Sequence, residues 1–295
     1  MRVRRIAAAA AAVALSLTLA ACGSDDSAEP ETEVESAPTF EAGTTMATLS
    51  EKGSITVGTK FDQPLFGLKG LDGKPQGFDV EVAKIIAGAM GISPENINYI
   101  ETPSAIREEV IEQKRADMVV ATYTINDKRK ERISFAGPYY VAGQDIMVLA
   151  DNPKDITGPD SFKTNGAKVC SVTGSTPSEN IKQYLGSPDQ LVLFDVYSKC
   201  ADALRTGQVD AVTTDNVILL GLIDASADKF ELVGEAFTEE PYGIGITKGD
   251  VAFCEFINET LQTAADDSAY TTAWEETAGK VQEEAPELPA AAPCT

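Results

Sequence analysis

Histidine is absent from all 295 residues. That absence removes the Ser-His-Asp and Cys-His nucleophile systems, HExxH zinc sites and every His-based metal centre. No two cysteines stand at CxxC spacing, and neither an internal repeat nor a Walker-type phosphate loop occurs. Basic residues are scarce: 24 Lys and Arg stand against 46 Asp and Glu, a formal charge of −22. A chain so acidic is not a nucleic-acid binder. Long apolar runs are also missing, apart from about 16 residues between Ile6 and Ala21, too short for a stable membrane span.

That run follows Arg2, Arg4 and Arg5 and closes on Leu19-Ala20-Ala21-Cys22, the order of a secretory signal. It resembles the lipobox of bacterial lipoproteins, which implies acylation of Cys22 and removal of residues 1–21. The mature chain would lose three arginines and no acid, moving its formal charge from −22 to −25. Residues 22–48 are rich in Ser, Thr, Pro and Ala. They carry Asp25, Asp26, Glu29, Glu31, Glu33, Glu35 and Glu41 with no Lys or Arg before position 49. This composition reads as a solvated tether with a span of roughly 27 Å. No cofactor or metal is implied anywhere in the chain.

About 240 residues remain, enough for one large or two moderate cores. Ser54 to Thr59 reads as a short apolar strand, and Phe78, Val82, Ile85, Ile86 and Met90 recur at helical spacing up to Gly91. Further β-type runs lie at Ile97–Ile100, Met118–Ala121, Ile146–Leu149, Val169–Val172, Leu191–Phe194, Ala211–Thr214, Phe230–Val233 and Gly243–Ile246. Helical stretches at Ser104–Gln113, Ser198–Arg205 and Ala252–Ala264 fall between them. The alternation predicts an α/β fold with mainly parallel sheets and ligands at the carboxyl ends of strands.

Two segments carry a family resemblance. Gly77-Phe78-Asp79-Val80-Glu81-Val82-Ala83 looks like the signature helix of the polar-amino-acid class of extracellular solute-binding proteins. The stretch Ala116-Asp117-Met118 to Arg129, continued by Ile133-Ser134-Phe135 and Pro138-Tyr139-Tyr140, resembles the core motif of the same family. The likeness runs from about Gly53 to Trp274 and is nearest to the glutamate-binding lipoproteins of Gram-positive ABC uptake systems. It implies a two-lobed, type II periplasmic-binding-protein clamp that closes about a hinge. Residues 49–143 would begin lobe 1, 144–235 form lobe 2, 236–285 complete lobe 1 and 286–295 make a C-terminal tail. The four cysteines after Cys22 allow three pairings. Cys170–Cys200, within one lobe, and Cys254–Cys294, pinning the tail, are preferred.

The resemblance also implies a pocket. Arg129, in the T-x-T-x-x-x-x-R arrangement, would clamp the α-carboxylate of an amino acid bidentately. Thr122 and Thr124, two apart on a strand, face the same way and would bring hydroxyl and backbone groups to the ligand. Thr176, in Thr173-Gly174-Ser175-Thr176-Pro177 at a strand-to-helix turn, would complete the carboxylate site from lobe 2. Asp215 would pair with the ammonium. Lys60 stands where binders of basic amino acids in the family carry an acid, and Ser104 and Arg107 match the positions that acidic-amino-acid binders use for the distal carboxylate; two cations at one end favour glutamate or aspartate, and Phe61 and Tyr197 are candidates for the same wall. The expected partners are ABC permease subunits at the extracytoplasmic face of the membrane, with the protein acting as a non-enzymatic monomer. A ligand-sensing lipoprotein, or a cleft dehydratase with Glu240 as its acid, is the alternative on the same fold.

Overall fold

In the computed structural model, which describes residues 33–36, 38–227 and 229–295, the apolar runs become the strands of two five-stranded sheets. The signal segment, Cys22 and the start of the tether lie outside the described residues. The chain opens with α1 (Thr45–Lys52), β1 (Ile55–Thr59), a small hairpin sheet of β2 (Asp62–Gln63), β3 (Gly67–Lys69) and β4 (Pro75–Gln76), and α2 (Phe78–Ala89). Then come β5 (Ile97–Glu101), α3 (Arg107–Glu112), β6 (Met118–Val119), α4 (Asp127–Lys130), β7 (Ser134–Ala142) and β8 (Gln144–Leu149). Next are α5 (Ser161–Asn165), β9 (Val169–Val172), α6 (Thr176–Asn180), β10 (Leu191–Phe194), α7 (Tyr197–Arg205), β11 (Ala211–Asp215) and α8 (Asn216–Asp224). The chain ends with β12 (Phe230–Leu232), β13 (Glu240–Ile246), α9 (Val251–Asp266) and α10 (Ala269–Glu276).

The lobe 1 sheet has the order β5-β1-β6-β13-β7 and the lobe 2 sheet the order β10-β9-β11-β8-β12. Each is parallel over its first three strands and antiparallel over the rest. The mainly parallel sheets expected from the alternation are therefore mixed, and the chain path explains it. The chain leaves lobe 1 on β7 and enters lobe 2 on β8 after Gly143 alone, then returns on β13. Outgoing and returning strands that lie side by side must run in opposite directions.

Aromatic side chains lock this crossing in place. Tyr140 on β7 stacks on Trp274 at 5.2 Å between ring centroids, and Tyr242 on β13 lies 5.7 Å from Tyr140. Phe66 and Phe78 meet the same group edge-on, with Phe78 5.1 Å from Trp274. The one tryptophan is fully buried. Edge-to-face and offset contacts of this kind add about 0.5 to 1.5 kcal/mol each beyond burial.

The tether expectation needs correction at its C-terminal end. Phe40 sits edge-on to Phe256 of α9, the Glu35 amide donates to the Gly88 carbonyl, and α1 buries Met46 and Leu49. Thr44 caps α1 by accepting from the Ala47 amide, and the Thr45 hydroxyl donates to Asp250 at the start of α9. The acidic composition hid the sparse apolar residues Phe40, Met46 and Leu49 that seat this stretch on lobe 1.

The two disulfides are Cys170–Cys200, joining β9 to α7 in lobe 2, and Cys254–Cys294, which ties the tail to α9. The tail also pairs with β7, the Ala292 amide donating to the Gly137 carbonyl and the Ser134 hydroxyl to the Thr295 carbonyl. Closing loops of these lengths stabilises a fold by about 2 to 4 kcal/mol per bond. Thioreductant should therefore lower the melting temperature, and Cys294→Ser alone should reproduce part of the loss in a thermal scan.

Candidate functional site

Thr59 ends β1, and the chain delivers Lys60 into the seam between the lobes, where its ammonium donates to the Ser104 hydroxyl at 2.9 Å. Burial, reinforced by the neighbouring Arg107 charge, pulls the Lys60 ammonium down to about 7. Arg107 opens α3 and turns its guanidinium into lobe 1. It donates to the Ala121 and Thr122 carbonyls at 2.8 and 3.3 Å and lies 4.0 Å from the Tyr123 ring centroid. Its Nε is buried and has no hydrogen-bond partner among the described residues.

Thr122 follows β6 in a left-handed conformation, φ 44°, which a β-branched residue rarely adopts. Asp79 of α2 holds it there, accepting from the Thr122 amide at 2.8 Å through one oxygen and from the Tyr139 hydroxyl through the other. The Thr122 hydroxyl donates to Gln63 Oε1 at 3.0 Å and leaves the Gln63 amide nitrogen unpaired. Burial raises the Asp79 carboxyl to about 7.

Arg129 sits in the single-turn helix α4, whose cap Asn126 accepts from the Arg129 amide. Its guanidinium donates to the Thr124 carbonyl in lobe 1 and, across the seam, to the Gly174 carbonyl in lobe 2 at 3.1 Å. Its Nε lies 3.3 Å from Glu108. Burial, aided by Arg107, lowers it to about 10, so it stays charged at neutral pH.

From lobe 2, the turn between β9 and α6 brings Thr176 to the seam. Its hydroxyl donates to Glu240 Oε2 at 2.6 Å and stands 3.2 Å from the Thr124 hydroxyl. Gly174 beside it is needed for closeness: a Cβ there would meet the Ala105 Cα of lobe 1 at 2.8 Å. Asp215 ends β11 but does not cap α8 with its side chain. Instead one oxygen accepts from the Tyr242 hydroxyl of the returning strand at 2.6 Å, while Oδ1 is buried and unpaired. Burial and the nearby Glu240 charge raise the Asp215 carboxyl to about 7.

Lys60, Ser104, Thr122, Thr124, Arg129, Thr176 and Asp215 are thus all buried or nearly so along one seam. The Phe61 ring carries the Lys69 ammonium at 4.9 Å from its centroid, and Tyr197 is buried with its amide donating to Asp62, the residue after Phe61, at 2.7 Å. Sequence reasoning missed Gln63, Asp79 and Tyr242. A signal for Asp79 was available, since an acid on the buried face of an otherwise apolar helix requires buried donors.

The unpaired buried atoms are of both kinds. Asp215 Oδ1 accepts when the carboxyl is ionised, whereas Arg107 Nε and the Gln63 amide nitrogen can only donate. A two-lobed α/β fold that buries polar groups of both kinds where its lobes meet has the architecture of a solute-binding protein.

Comparison with known proteins agrees. Residues 55–277 match the bacterial extracellular solute-binding proteins, family 3, and the chain belongs to that family. It is 39% identical over 239 residues to the glutamate-binding protein GluB of Corynebacterium efficiens, covering 78% of this chain and 80% of that one. It is 36% identical over 228 residues to the glutamine-binding protein GlnH of Bacillus subtilis, covering 77% and 81%. Among solved structures, an ancestral arginine-binding protein bound to arginine superposes with a TM-score of 0.70 at 33% identity, over 76% of this chain and 98% of that one. An ancestral amino acid-binding protein, a precursor of cyclohexadienyl dehydratase, shares the fold at 26% identity, with a TM-score of 0.71 over 79% and 99%.

The titrations have opposite consequences for folding and for binding. In the ligand-free protein, the raised carboxyls of Asp79 and Asp215 hold protons that the unfolded chain has lost, so they erode stability as pH rises from about 4 to 7. Lys60, lowered to about 7, has shed a proton the unfolded chain keeps, so its contribution recovers as pH rises from about 7 to 10. An ammonium facing Asp215 is bound best when that carboxyl is ionised, above about pH 7; a carboxylate facing Lys60 is bound best when that amine is protonated, below about pH 7. The expected result is a bell-shaped affinity profile centred near pH 7, with the ligand-induced rise in melting temperature also largest there. A flat profile between pH 5 and 9 would show that these groups do not meet the ligand.

Proposed function

We propose that this chain is the substrate-binding lipoprotein of an ABC amino-acid importer. Anchored through Cys22 on the extracytoplasmic face of the membrane and acting as a monomer, it captures glutamate, or aspartate, by closing its lobes and presents it to the permease. The observation that carries this reading is the buried, partnerless Asp215 Oδ1 facing a seam that also holds Lys60, Arg107 and Arg129. Glu108, Glu240 and Asp79 are engaged by Arg129, Thr176 and Thr122, so the uncommitted oxygen of Asp215 suits an ammonium, while Lys60, Arg107 and Arg129 suit carboxylates, the charge arrangement of an acidic amino acid in reverse. The names of the relatives, glutamate- and glutamine-binding proteins, support the substrate class. Glutamine has nearly the shape of glutamate, so its rejection must come from leaving cations without a counter-charge in a desolvated place.

Titration calorimetry against the twenty amino acids should find glutamate preferred over glutamine by at least about 10²-fold, a modest share of what buried polar mismatches can reach. Lys60→Ala with Arg107→Ala should erase that preference. Arg129→Ala and Asp215→Ala should each weaken binding by about 2 to 4 kcal/mol, because the ligand charge left behind stays buried. Equal affinity for glutamine and glutamate in the wild type would overturn the substrate assignment. The soluble fragment for this work should begin at Glu33, since a cut at Gly53 would strip α1 from lobe 1. Cys22→Ser should move the protein from the membrane fraction into the medium without changing its affinity.

A further inference from the structure

Helix α7 has no cap of its own. Its N-cap residue is Val196, whose side chain carries no oxygen, and among the described residues no side chain of lobe 2 accepts from the first amides of the helix. Those amides are nevertheless paired. The Tyr197 and Ser198 amides both donate to Oδ2 of Asp62, at 2.7 and 3.3 Å, and Asp62 belongs to lobe 1. The capping group of a lobe 2 helix is therefore supplied by the opposite lobe, two residues beyond Lys60. Next to it the lobes meet as closely as backbone allows: a Cβ on Gly221 of α8 would lie 2.4 Å from the Pro64 carbonyl oxygen.

An uncapped helix start leaves amide donors and the positive end of the helix dipole facing solvent. When the lobes separate, both amides and the Asp62 carboxylate return to water. When they meet, a charge-assisted double hydrogen bond forms without touching the ligand. We propose that Asp62 is a closure latch, a positioning residue that favours the closed clamp by capping α7 in trans. The inference rests on the reading of the chain as an amino-acid binder that works by lobe closure, and it adds a residue that sets affinity without contributing to selectivity. A latch that biases only the open-to-closed equilibrium multiplies the affinity for every ligand by the same factor.

The test uses the mature chain and glutamate, with aspartate as a second ligand. Asp62→Ala should weaken binding of both by one common factor, roughly 3- to 30-fold, the ratio that loss of a helix cap corresponds to. The loss should appear chiefly as faster release. Val196→Ser gives α7 a cap in its own lobe, present whether the lobes are open or closed. A latch predicts that Val196→Ser raises the melting temperature yet fails to restore affinity in the Asp62→Ala background, because a cis cap gives no reward for closing. A cap that merely stabilises the helix predicts the reverse, namely restored affinity on adding Val196→Ser, and that result would overturn the proposal. So would an Asp62→Ala protein that binds both ligands as the wild type does.

Small-angle scattering supplies a readout independent of the identity of the solute. Asp62→Ala should shift the population toward larger radii of gyration, either alone or at half-saturating ligand, and unchanged scattering in both conditions would also reject the latch. If wild-type protein bound no amino acid at all, the binding reading would fail separately, while the scattering of ligand-free wild type and Asp62→Ala would still decide whether Asp62 holds the lobes together.

Discussion

Buried charged and polar groups that reach across a seam from each lobe to the other are the constraint on which the rest of this structure depends. Arg129 reaches lobe 2 through the Gly174 carbonyl, Asp215 reaches lobe 1 through the Tyr242 hydroxyl, and Thr176 links Thr124 to Glu240. Each of these groups would be well solvated on an open surface. Brought together in a dry interface, they are tolerable only with partners, because an unpaired buried charge costs several kcal/mol. Stability is given up for function here, in the sense that the site is held ready by surrounding structure and not by its own contacts.

The supporting structure is of two kinds. One is the crossing of β7 with β13, cemented by Tyr140, Tyr242, Phe66, Phe78 and Trp274, which keeps the lobes connected while leaving their faces free to meet. The other is the Tyr139–Asp79–Thr122 relay, which reaches from the buried face of α2 to the turn after β6 and keeps that turn in a conformation its sequence would not choose. Both lie behind the seam. Substitutions there should act on the geometry of the site without removing any group that faces the solute.

Much of this was legible in the chain itself. Val169–Val172 coincides with β9, because a buried strand in an α/β fold is a short, nearly continuous apolar run, and Leu191–Phe194 coincides with β10, an edge strand whose apolar run is only half-buried. The long strand β7 escaped notice: Ser134–Ala142 contains Gly137, Pro138 and two tyrosines and shows no clean alternation. The hairpin Asp62–Gln76 was equally silent, its strands being only two or three residues long. Arg129 and Asp215 stood out by their place in motifs, whereas Asp62, Gln63 and Tyr242 matter through partners more than twenty residues away. Contacts of that kind depend on the fold as a whole, and no local spacing encodes them. The acidic lead-in showed the converse error, since bulk composition outweighed three apolar residues that decide where residues 40–52 lie.

Both ends of the described chain converge on α9. Asp250 at its first turn receives the Thr45 hydroxyl, Phe256 receives the Phe40 ring, and Cys254 is bonded to Cys294. The chain passes between lobe 2 and the remainder, by contrast, at two crossing connections, near Gly143 and at residues 233–239. In mechanical terms the molecule has a chassis and a lever. A pull applied at Glu35 would enter through α2, α1 and α9 and be borne by lobe 1, leaving lobe 2 loaded only through the crossing strands.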